Sequence, residues 1–117
     1  MVKKYVYGNP FETEAVVTDI HPETDAPAYG TVAVNDDGSF SYTYKLAAKD
    51  RVYGLGENVR GINKRGFEYI SNCTDQPKHH EDTKSLYGAH NFLIVDGETR
   101  FGLFFDYPST MTFDVAY

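Results

Sequence analysis

The 117 residues contain one cysteine and no tryptophan, and no apolar run approaches the roughly 20 residues a membrane-spanning helix needs. A single cysteine excludes an internal disulfide framework. The opening MVKKYVYGNPF has no long apolar stretch of the kind a secretory leader carries, so the expected setting is reducing and cytoplasmic. Bases are also scarce: 11 Lys and Arg stand against 17 Asp and Glu, for a net charge of -6, and the bases never form an extended run. That balance argues against a nucleic-acid backbone or an anionic membrane as partner. Helical periodicity is missing too, since no stretch repeats apolar residues at 3.6-residue spacing over three turns.

What is present reads as β structure. Ten Tyr and eight Phe favour strands and tyrosine-lined surfaces. Short apolar runs separated by turn signals give about eight expected strands: 14–20, 29–34, 39–46, 51–56, 66–71, 90–95, 99–107 and 110–117. Within 39–46, Phe40, Tyr42, Tyr44 and Leu46 alternate with Ser39, Ser41, Thr43 and Lys45, the clearest period-two pattern in the chain. NDDG before it and Asp96-Gly97 later supply hairpin turns. The spacing predicts one all-β domain over 1–117, a sandwich or barrel.

Between Asn72 and Tyr87 the apolar signal nearly vanishes, which marks a long polar connection and a candidate functional loop. It opens with NCTDQPKHHED. Cys73, His79, His80, Glu81, Asp82 and the later His90 are metal-ligand types, but their spacing matches neither paired CxxC nor HExxH, so no metal is expected. Without a protease or CxxC context, Cys73 is read as a small hydrophobe suited to burial, and His79 and His80 as solvated loop residues. Asn72-Cys73-Thr74 is a glycosylation sequon, expected to stay unmodified without secretion. The four glycines of YGLGENVRGINKRG (53–66) are not followed by the GK[ST] of a phosphate loop and are read as backbone bends. Asp75, Glu81 and Asp82 on one loop lack the rigid support that a glycosidase carboxylate pair needs.

YGLGENVRGINKRG, followed by YISNCTDQPKHHEDTKSLYGAHNFLI (69–94) and GLFFDYPSTMTFDV (102–115), resembles the N-terminal region of family 31 glycoside hydrolases, bacterial α-glucosidases especially. The resemblance implies an antiparallel β-sandwich of the galactose mutarotase-like kind, packed against a catalytic (β/α)8 barrel that carries both catalytic Asp residues. Neither the barrel nor its W-x-D-M-N-E segment occurs in these 117 residues, so the chain is expected to be the N-terminal domain cut before the barrel, with no catalytic residue, metal or cofactor of its own. In relatives a loop of this domain reaches the sugar pocket. The match places Asp75 as the substrate-binding residue, with Asn72, Thr74, Gln76 and Pro77 shaping the loop and Glu57 and Arg60 bracing the sandwich or its barrel interface. The implied partners are the barrel and an α-glucoside, of α-1,4 or α-1,6 linkage. A second class of reading is an autonomous carbohydrate-binding module. The strand-like end at 110–117 is an expected route to homo-oligomers.

Overall fold

The computed structural model describes residues 1–11 and 19–117. Most of the strand expected over 14–20 lies outside them. The described residues form seven strands and no helix: β1 (Thr31–Val34), β2 (Phe40–Thr43), β3 (Arg51–Gly56), β4 (Phe67–Ser71), β5 (Ala89–Asp96), β6 (Arg100–Phe104) and β7 (Met111–Val115). All strand pairs are antiparallel, in sheets ordered β1-β2, β3-β5-β6 and β4-β7. The chain is all-β, as its period-two patterns require. Several strands are shorter than their apolar runs. Strand β6 stops at Phe104 because the chain bends before Pro108, with the Tyr107 amide donating to the Phe105 carbonyl at 3.0 Å.

The chain divides into two compact units, Met1–Lys45 and Leu46–Tyr117. In the first, β1 and β2 pair from Thr31↔Thr43 to Val34↔Phe40 around a turn shaped by its polar residues. The Ser39 amide and hydroxyl both donate to the Asp37 carboxylate, at 2.9 and 2.6 Å, and these bonds hold its pKa below the usual value. Gly38 takes φ +82°, the left-handed conformation this turn demands.

In the second unit, β3-β5-β6 contributes Val52, Leu55, Leu93 and Val95 to the buried core, and β4-β7 contributes Phe67, Tyr69, Phe113 and Val115. On β4, β5 and β7 these residues alternate with more exposed ones, as a sheet with one buried face must. Strand β3 departs from alternation, since Val52 and Leu55 are three apart yet both buried. A bulge between Gly54 and Gly56 inserts the extra residue. Gly54, Leu55 and Gly56 all have positive φ, at 116°, 67° and 77°. At Leu55 this costs about 1–2 kcal/mol, offset by burying the side chain.

The bulge gives the YGLGE stretch a physical meaning. A Cβ on Gly54 would lie 2.4 Å from the Phe92 carbonyl oxygen, and one on Gly56 would lie 2.8 Å from that of Gly88. Glu57 then accepts from the Gly88 amide at 3.0 Å, while its own amide donates to the Gly88 carbonyl at 2.8 Å. YGLGE and LYGAHNF are thus two halves of one backbone junction. Among the described residues no helix is long and apolar enough to cross a membrane.

Candidate functional site

The connection from β4 to β5 is tied at its base. The Ile70 amide donates to the Lys84 carbonyl at 2.9 Å and the Thr74 amide to the Leu86 carbonyl at 2.8 Å, so residues 84–86 run beside the end of β4. Side chains reinforce this seam. The hydroxyls of Thr74 and Ser85 both donate to the Asn72 carbonyl, and Lys84 pairs with Glu68 at 2.6 Å, which raises the lysine pKa. Leu86 is buried and anchors the return strand of the loop.

A second attachment holds the far part of the loop. Arg60 donates through Nε to the Glu81 carbonyl at 3.0 Å and through Nη2 to the Asp82 carboxylate at 3.3 Å. Its guanidinium lies 3.9 Å from the centre of the Phe67 ring, a cation–π contact on a buried aromatic. Arg60 is itself set by Lys64, whose buried ammonium donates to the Arg60 and Gly61 carbonyls at 3.4 and 3.0 Å. Burial lowers the Lys64 pKa, since the charged form loses water there.

Asp75 sits just beyond the seam and is exposed. Among the described residues no hydrogen bond or ion pair engages its carboxylate. Thr74 and Asn72 belong to the seam, Pro77 is exposed, and half-buried Gln76 accepts at its carbonyl from His79 Nδ1 at 3.5 Å. The backbone amide of His80 donates to the Thr83 hydroxyl at 3.0 Å, closing a small turn with the Thr83 amide on the His80 carbonyl at 2.9 Å. Among the described residues no three of His, Cys, Asp and Glu gather as a metal site. Cys73 corrects one expectation: the residue is exposed, lying just past the end of β4.

Beside the seam lies an open cleft of about 610 Å³, contained entirely in the second unit. It forms where the end of β4, the start of β5, the end of β6 and the start of β7 come together, so residues 71–73, 89–91 and 104–110 line it. Asn91 fixes its floor. This side chain accepts from the Ser71 hydroxyl and donates to the Tyr107 carbonyl at 3.1 Å, while its backbone carbonyl accepts from the Phe105 amide at 2.9 Å. Of the cleft residues, the sequence singled out Asn72, Cys73 and His90 as candidates, whereas FFDYPST entered only as strand, turn and part of the family resemblance. The available signal was the pair Phe104-Phe105, since adjacent rings on the expected strand 99–107 point to opposite faces and a sheet with one buried face leaves one of them exposed.

No curated protein matches the chain. Residues 5–114 match the sequence model of the glycosyl hydrolase 31 N-terminal galactose mutarotase-like domain. The match takes in the β3 bulge, the seam and the cleft alike, and the chain belongs to that domain family of glycosyl hydrolase 31.

Proposed function

We propose that this domain is the non-catalytic N-terminal part of a retaining α-glucosidase, that it packs on the catalytic barrel, and that its β4–β5 loop contributes Asp75 to the sugar pocket. Membership in the family implies a catalytic domain as partner and a glycoside as substrate. The observation that carries the role of Asp75 is a contrast within the loop. Its base is held by backbone and side-chain bonds and its far part by Arg60, whereas the Asp75 carboxylate projects with no partner among the described residues. A carboxylate carried on a loop tied at both ends and left unpaired is suited to accept from two vicinal sugar hydroxyls. A single exposed thiol at Cys73 fits a reducing, cytoplasmic location.

The test is kcat/KM of the complete parent enzyme carrying Asp75→Ala, on maltose and isomaltose. Loss of one charged hydrogen-bonding partner predicts a fall of about 10- to 100-fold, carried mainly by KM because Asp75 lies outside the catalytic pair. Unchanged values on both sugars would overturn the assignment.

A further inference from the structure

The cleft at the convergence of the four strand ends has a lining that the loop and Asp75 do not use. Its volume, about 610 Å³, lies within the roughly 300–1,000 Å³ typical of small-molecule sites. Its floor is rigid, since Asn91 is held at both ends of its amide and by its backbone. Its walls differ: Asn72, His90, Asp106, Ser109 and Thr110 are exposed, and among the described residues their side chains make no hydrogen bond or ion pair. Phe104 stands with them at 69% exposure, a ring face left in water next to donors and acceptors.

The composition of the walls selects the ligand. Among the described residues no Lys or Arg lines the cleft, so a phosphorylated or sulfated molecule would bring its charge to a lining whose one formal charge, among those residues, is the Asp106 carboxylate. A lipid or an apolar peptide would bury the unpaired polar groups without replacing their water. A neutral saccharide satisfies both constraints, because its hydroxyls donate to Asp106 and exchange hydrogen bonds with Asn72, His90, Ser109 and Thr110. The C–H face of a pyranose ring can cover Phe104. We propose that this cleft is a binding site for a neutral oligosaccharide, complete within the 117 residues and separate from the contact made by Asp75.

The experiment is a titration of the 117-residue chain with maltose, maltotriose and glucose 6-phosphate, followed by amide chemical shifts and calorimetry. Saturable binding of maltotriose is expected, with shifts gathered at 72–73, 89–91 and 104–110 and no saturation by glucose 6-phosphate. Phe104→Ala and Asp106→Asn should each weaken binding about tenfold or more. Both positions are exposed, so unchanged thermal unfolding of these variants separates lost contact from lost fold. Glu98→Gln, an exposed position outside the cleft, should bind maltotriose as the parent chain does. Absence of saturable binding, or binding that survives both cleft substitutions, overturns the proposal. Neither outcome bears on Asp75, whose role is read from the kinetics of the complete enzyme.

Discussion

The two units of the chain use the same sequence signal to different ends. The strongest period-two pattern, around Phe40–Thr43, belongs to the first unit, yet its strand alternates only between half-buried and exposed residues. Every buried hydrophobic residue among those described lies in the second unit, where the patterns are shorter and one is broken by a bulge. Alternation states which side of a strand is apolar. Whether that side is covered depends on a second layer, and in the second unit both β4-β7 and β3-β5-β6 carry buried side chains.

The sharpest way to break this comparison is to make one chemical change in each unit. Gly54→Ala meets the Phe92 carbonyl oxygen at 2.4 Å at a φ of 116°, so it should cost roughly 3 kcal/mol or more and could abolish folding. Gly38→Ala carries the left-handed strain alone, with nothing within 4 Å of the new methyl, and should cost about 1 kcal/mol. Next come the side chains. Leu93→Ala empties a core position and should cost about 2–5 kcal/mol, whereas Val34→Ala, at a position 50% exposed, should stay within about 0.5 kcal/mol. Urea unfolding of the four variants measures all of these. Equal costs in the two units would show that the first has a covered core after all.

Much of this was legible in the residues, and the illegible part has a common cause. The period-two runs disclosed the β class, and the polar stretch after Ser71 disclosed the loop. YGLGE could be read only as bends, because the reason for its glycines is the backbone of Gly88 and β5, more than 30 residues away in sequence. The seam was hidden likewise: the bond from Thr74 to Leu86 joins main-chain atoms, which leave no mark on residue type. The cleft needs four strand ends to meet, and only topology brings Asn72, His90 and Asp106 to one place. The exposed Cys73 was misread because residue type alone favours burial for a free cysteine.

Arg60 separates the fixed base of the loop from its exposed carboxylate. Arg60→Ala removes two hydrogen bonds to residues 81–82 and the contact with Phe67, which should cost about 1–2 kcal/mol of local stability. Hydrogen exchange should read this as faster exchange of the Thr83 amide, with the Thr74 amide on the seam little affected. Arg60→Lys keeps the charge but loses the fork that reaches both acceptors, and should restore only part of the protection. Equal acceleration at both amides would mean that the loop opens as one piece and that Arg60 holds all of it.

The pH dependences expected are of opposite sign in the two units. Tyr42 donates its hydroxyl to the Tyr29 carbonyl at 2.8 Å, and burial pushes its pKa up to about 12 from 10.0. The unfolded chain therefore releases this proton first, so the stabilising contribution of Tyr42 is full below pH 10 and is lost as the pH rises to about 12. Lys64 behaves the other way. Its pKa is lowered by burial from 10.5, so between the lowered value and 10.5 the unfolded chain holds more protons than the folded one, and stability rises with pH. Against Tyr42→Phe, the wild-type protein should lose its advantage across pH 10–12. Against Lys64→Met it should gain as the pH approaches 10.5, because the buried ammonium that Lys64→Met lacks is then being discharged. Denaturant midpoints of the three proteins at successive pH values test both slopes. A falling difference at Lys64 would mean that the carbonyls of Arg60 and Gly61 hold the charged form more firmly than burial opposes it.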